Sequence, residues 1–143
     1  MLEQHDIPLT HEIDRLAPKK RRSNPERLVQ RALIDWMRLA IPGCIVAASV
    51  NEAPAASANP YSRARFHQAR KAAGVQKGWP DLTVALPGGR TVYVEVKAAK
   101  GRISDAQHEI HARLRGLGHL VVVARSIDDA AAAFRLAGVI ATP

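Results

Sequence analysis

Two apolar runs, residues 82–86 and 91–97, flank Pro87-Gly88-Gly89-Arg90, and no feature of the chain restricts its fold more tightly. Strand-forming segments on either side of a Pro-Gly-Gly turn make a β-hairpin. In the second run Val92, Val94 and Val96 point to one face, while Tyr93, Glu95 and Lys97 point to the other. The valines require a core, so the glutamate and lysine lie together on the opposite side. Taken alone, that pair is equally well explained as the solvated face of an amphipathic strand.

Asp81, in Gly78-Trp79-Pro80-Asp81 at the head of the first run, weakens that explanation. Side chains directly opposite one another on paired strands share a face. A three-residue loop, Pro87-Gly88-Gly89, sets Leu86 against Arg90 and Asp81 against Glu95. A two-residue turn at Gly88-Gly89 sets Asp81 against Val96, on the wrong side. The reading therefore requires the three-residue loop, a bulge, or a bend at Asp81, which Pro80 favours. Two carboxylates and a lysine then share a small patch. Mg²⁺ needs only one or two carboxylates beside water and phosphate, and the carbonyl of Val96 is a natural further ligand. Lys97 would orient or deprotonate an attacking water, or neutralise charge growing on a phosphate. The set suits hydrolysis of a phosphodiester.

The rest of the chain supplies layers for this hairpin. Asn24-Pro25 begins a helix, with Asn24 as N-cap, an apolar stripe at Val29, Leu33, Trp36, Met37 and Ala40, and Pro42-Gly43 at its end. Residues 44–50 are a short apolar run that suits a buried strand, and residues 51–60 form a loop rich in Ala, Pro, Ser and Asn. A basic helix is expected over 61–73, stopped by Gly74. Ser104 caps another helix running to about Arg115, with Ala106, Ile110, Leu114 and Leu117 on one face. Residues 119–124 read as a buried strand, and Ser126 caps a last helix through Phe134 and Leu136. A hairpin, a crossover helix and a further strand imply an α/β fold with a mixed sheet flanked by helices, the last strand parallel to one hairpin strand. Residues 24–143 form this domain. Residues 1–23, polar and ending in Lys19-Lys20-Arg21-Arg22, read as a flexible basic tail.

Composition narrows the partners. The chain has 143 residues with 21 Lys and Arg against 13 Asp and Glu, a net charge of +8, which favours an anionic partner such as nucleic acid. A single cysteine, Cys44, excludes an internal disulfide and paired-cysteine zinc sites. No apolar stretch follows the polar N-terminus and none is long enough to span a bilayer, so neither a signal peptide nor a membrane segment is expected.

Further candidates have two explanations each. Glu26 heads the apolar face of its helix, where a carboxylate needs a partner, but it also suits the positive end of the helix dipole. Gln107 completes Ser104-x-x-Gln107, a capping box, which accounts for it structurally, although it shares the face of Ile110 and Leu114. His108 and His111 flank Glu109 without the four-residue histidine spacing of a zinc helix, and a surface position is expected for them. No phosphate-cradling glycine loop is present.

Together these residues resemble the PD-(D/E)xK nuclease superfamily and, within it, the VRR-NUC (virus-type replication-repair nuclease) family. The resemblance runs from residue 24 to about 125: an early helix with Glu26, Asn51 after a strand, Gly74-Val75-Gln76-Lys77-Gly78-Trp79-Pro80-Asp81-Leu82, Glu95-Val96-Lys97, and Ile103-Ser104-Asp105-Ala106-Gln107. It implies a restriction-endonuclease-like core with Asp81 and Glu95 as metal ligands, Lys97 as the catalytic lysine, Glu26 as an additional acid and Gln107 as a glutamine that orients the site. It also implies Mg²⁺ or Mn²⁺ as cofactor, and DNA as substrate. The chain is similar to stand-alone phage and bacterial members, which implies branched DNA such as four-way (Holliday) junctions, a homodimer, and a cytoplasmic location. The basic segment, with Arg63, Arg65, Arg70, Lys71 and Lys77, would line the DNA path. The alternatives are a nuclease of nicking or restriction-type selectivity, and a non-catalytic DNA-binding protein with the same fold.

Overall fold

The computed structural model describes residues 24–49 and 60–141. The basic tail, Asn51 and nearly all of the expected 51–60 loop lie outside them. In chain order the elements are α1 (Pro25–Ala40), β1 (Ile45–Ala48), α2 (Pro60–Ala72), β2 (Leu82–Ala85), β3 (Thr91–Val96), α3 (Asp105–Gly116), β4 (Leu120–Ala124) and α4 (Ile127–Leu136). The strands form one mixed sheet in the order β1-β2-β3-β4, with β1/β2 and β2/β3 antiparallel and β3/β4 parallel.

The alternation of β2 and β3 divides the interior in two. Leu82, Val84, Val92, Val94 and Val96 face a core completed by Leu33 and Met37 of α1 and Ala130 and Phe134 of α4. Phe134, Leu33 and Met37 are fully buried, each contributing roughly 1.5–3 kcal/mol by leaving water, and Trp36 tilts against Phe134 at 5.8 Å. The other face of the sheet is covered by α3, whose Ile110 and Leu114 meet Tyr93 and Val121. Glu95 projects on that side and is therefore covered by a helix. It does not lie on a solvated face.

The hairpin takes the register that brings Asp81 to Glu95. Leu82 pairs with Val94 and Ala85 with Thr91, Leu86 N–H donates to the Arg90 carbonyl at 2.8 Å, and Pro87-Gly88-Gly89 is the loop. Gly88 and Gly89 both sit near φ +80°, a conformation that side chains disfavour. One residue further along this register, Asp81 stands opposite Glu95, and the chain bends there.

Three local expectations are corrected. Among the described residues the 44–50 run is a strand over Ile45–Ala48 and an exposed edge, with Ile45 70% exposed; β1 has a neighbouring strand, β2, on one side alone. Leu117 is 75% exposed because it falls on the C-cap of α3, where the helical face ends. His111 is buried although His108 is exposed, since it follows Gln107 by one turn on the covered face. Among the described residues no helix is long and apolar enough to cross a membrane.

Gly78 joins the loop before Asp81 to the start of α3. Its φ is +81°, and a Cβ there would strike the Ala106 carbonyl and come within 2.8 Å of the Gln107 backbone nitrogen. Gly78→Ala is expected to cost at least ~2 kcal/mol from conformation and close approach together, read as a lower Tm in thermal unfolding. An unchanged Tm would mean that the two segments are not tightly joined.

Candidate active site

Four segments converge on the end of β3 where Glu95 lies. Asp81 enters from the bend before β2, held by neighbours on both sides. Ser49 Oγ donates to the Pro80 carbonyl at 2.7 Å, and Ser49 N–H donates to the Asp81 carbonyl at 2.7 Å. Trp79 packs edge-on against Tyr93 at 5.3 Å. The Asp81 side chain then turns onto β3, its Oδ2 accepting the Val96 N–H at 2.8 Å.

Glu95 has no exposed surface. Its Oε1 receives two donors, Lys97 Nζ at 2.8 Å and Gln107 Nε2 at 2.6 Å. Lys97 is itself 12% exposed, so its ammonium spans the boundary between this interior and solvent. Burial pushes the Glu95 carboxyl up to about 7, with the negative charge of Asp81 adding to the rise and Lys97 opposing it. Two carboxylates whose charges oppose one another in a poorly solvated place form a hard oxygen set, which fits a divalent cation.

Gln107 serves both explanations offered for it. Its Oε1 accepts the Ser104 N–H at 2.9 Å while its own N–H donates to Ser104 Oγ at 3.3 Å, the reciprocal capping box. The remaining Nε2 reaches Glu95. One amide side chain thus caps α3 and binds the carboxylate.

Glu26 is half-buried, and its Oε1 accepts the Ala98 N–H at 3.3 Å, just beyond Lys97. The start of α1 is therefore tied to the segment that leaves the site. Yet among the described residues no three His, Cys, Asp or Glu side chains gather as a metal cage, so Glu26 stands beside the Asp81–Glu95 pair and does not close a triad with it. Of the basic residues expected to meet DNA, Arg63, Arg65, Lys71 and Lys77 are exposed and Arg70 is half-buried with its guanidinium over Phe66 at 5.5 Å. Helix α2 buries none of its residues and has no acid in its first turn.

The sequence reading missed His111. It is 2% exposed, and its Nε2 lies 3.4 Å from Glu95 Oε2. Burial, with the positive charge of Arg115 adding, lowers its proton affinity. The available signal was spacing: His111 follows Gln107 by four and precedes Leu114 by three, which places it on the buried stripe.

The sequence profile of the VRR-NUC domain matches residues 21–128. A protein named only as a candidate nuclease, p44, of Acyrthosiphon pisum secondary endosymbiont phage 1 is 45% identical over 53 residues, which span 37% of this chain and 57% of that protein. The match thus covers a little over half of the phage protein's length. A solved VRR-NUC domain protein superimposes with a TM-score of 0.53 at 22% identity, covering 77% of this chain and 84% of the other. That likeness establishes a shared fold.

The raised Glu95 carboxyl has a consequence for stability. The folded chain holds this proton more tightly than the unfolded chain, whose glutamate titrates near 4.5. The linked stability is complete below that value and is lost as pH climbs through about 7. Glu95→Gln removes the ionisation, so in EDTA its Tm is expected to gain on wild type as pH rises from about 5 to about 8, with an upper limit of roughly 3 kcal/mol. A Tm difference that is the same at every pH would contradict this.

Proposed function

Because this chain belongs to the VRR-NUC domain family, we propose that it is a metal-dependent endonuclease that hydrolyses phosphodiester bonds in DNA, preferring branched forms such as four-way junctions. The observation that supports this best is the Glu95 carboxylate, buried beside Asp81 and held by Lys97 and Gln107. A carboxylate taken out of water is costly unless it is paired or binds a cation. Lys97 alone leaves its proton affinity near neutrality, so a divalent ion is the partner that the pair of acids still calls for.

In this reading Asp81 and Glu95 hold Mg²⁺ or Mn²⁺, the Val96 carbonyl is a further ligand, and Glu26 is an outlying acid. The bound ion supplies Lewis acidity towards a phosphoryl oxygen and a water of lowered pKa. Lys97, on the solvent side of Glu95, orients the attacking water and balances the negative charge that develops on phosphate. Gln107 keeps Glu95 in place while Lys97 turns towards substrate. In the net reaction the water oxygen bonds to phosphorus, one ester P–O bond breaks, and the proton lost by water is balanced by one gained at the leaving oxygen. Helix α2 and Lys77 form the approach for the DNA backbone, which the acid-free run and the +8 net charge support. The two-fold symmetry of a four-way junction favours a homodimer.

A labelled panel of linear duplex, single strand, flap and four-way junction, incubated with Mg²⁺, Mn²⁺ or EDTA, tests the proposal. Wild type is expected to cut a branched substrate only with metal. Asp81→Ala is expected to lose cutting, and Lys97→Ala to bind DNA normally while cutting at least ~10²-fold more slowly. Tight binding with no cutting under either metal would favour the non-catalytic reading, and wild-type cutting by Lys97→Ala would remove the lysine from the chemistry.

The DNA path has its own test. Replacing Arg63, Arg65 and Arg70 together is expected to weaken junction binding and flatten its dependence on salt, because fewer counterions are released. Binding with unchanged affinity and salt slope would send the path elsewhere.

A further inference from the structure

Helix α3 presents two polar side chains, one turn apart, to the same carboxylate. Gln107 donates to Oε1 of Glu95 at 2.6 Å. The other oxygen, Oε2, is buried with no hydrogen-bond partner, and so is Nε2 of His111. These two atoms face each other at 3.4 Å, in side chains 0% and 2% exposed. A buried polar atom left unpaired costs about 1–3 kcal/mol. A donor and an acceptor so placed need to move only about half an ångström to form an ordinary hydrogen bond.

We propose that His111 is a positioning residue for the cleavage reaction: carrying its proton on Nε2, it donates to Glu95 Oε2, so that α3 grips both oxygens of the carboxylate and aims it at the metal. The inference rests on the nuclease reading above. An ionised carboxylate offers about four lone-pair sites. Lys97, Gln107 and His111 occupy three of them, which leaves one for a cation. The ring cannot turn away to solvent, because Ile110 and Leu114 on either side of it along α3 are buried against Tyr93 and Val121. His108, three residues earlier, is exposed and takes no part. Groups that orient a ligating carboxylate from behind typically change metal affinity by 10- to 100-fold when removed.

The test uses the full chain and two variants. His111→Phe keeps a ring of similar shape without the donor, and His111→Gln keeps a donor. In the metal-free wild type, a long-range ¹H–¹⁵N spectrum is expected to report the Nε2–H tautomer of His111. Calorimetric titration with Mn²⁺ is expected to give an affinity roughly 10- to 100-fold weaker for His111→Phe, and one within a few-fold of wild type for His111→Gln. The Tm in EDTA of His111→Phe is expected to fall as well, because Glu95 Oε2 is left without its donor, so the Mn²⁺ affinity is the readout that decides. A merely structural histidine would lower the Tm of His111→Phe and leave its metal affinity intact. An Nδ1–H tautomer overturns the proposal without any variant, as does wild-type Mn²⁺ affinity in His111→Phe. If wild type binds no metal and cuts no DNA, the nuclease reading falls and this inference with it. If wild type binds and cuts while His111→Phe binds equally well, this inference alone falls.

Discussion

The structure is organised around a carboxylate that has been taken out of water. Glu95 sits mid-sheet under a helix with no exposed surface, and an isolated ionised group there would cost several kcal/mol. The groups that make its position tolerable come from the strand itself and from α3. Lys97 comes from the end of the same strand, Gln107 from the first turn of α3, and His111 from one turn further on. Asp81 brings a second negative charge, which moves the site in the opposite direction. The site is thus under-neutralised by its own residues, and that imbalance supports the proposal that it holds a divalent cation.

Local devices that normally only terminate elements here also locate the chemistry. The capping box of α3 ends on a side chain with one donor to spare, and that donor meets Glu95, so the start of the helix and the site are fixed by one residue. The hairpin loop sets the register that decides whether Asp81 faces Glu95 or the opposite core. Gly78 lets the preceding loop lie against the backbone of α3, where a methyl group would not fit. The N-terminal end of α1 joins through the bond from Ala98 N–H to Glu26. Helix, hairpin and loop are therefore mutually consistent, each local choice supporting the same arrangement.

Electrostatics separate the interior from the surface. The acids that matter lie on the covered face of the sheet, while Arg63, Arg65 and Lys71 of α2 lie exposed. An anionic polymer drawn by the positive exterior would meet the site where Asp81 and Lys97 are part-exposed. In the proposed reading this is the point at which a cation between acids and phosphate is needed, since phosphate and carboxylate otherwise repel.

Much of this was legible in the sequence because it is local. Strand alternation, the Pro-Gly-Gly loop, and the Asn24, Ser104 and Ser126 caps depend on neighbouring residues, and the elements formed where these signals placed them. The parallel β4 follows from a crossover helix between two strands. Tertiary structure decided which surfaces were covered. The Glu95 side of β3 carries charged residues at alternate positions, which reads equally well as a solvated face, and only the docking of α3 made it an interior. That same docking buried His111 and left His108 outside, a distinction of face that two histidines three residues apart do not declare. The 44–50 run looked buried because apolar residues usually are, yet among the described residues β1 is an edge strand and mostly exposed. Composition and periodicity report what a segment prefers, whereas burial, and with it the raised proton affinity of Glu95, is a property of the partners that long-range packing brings to it.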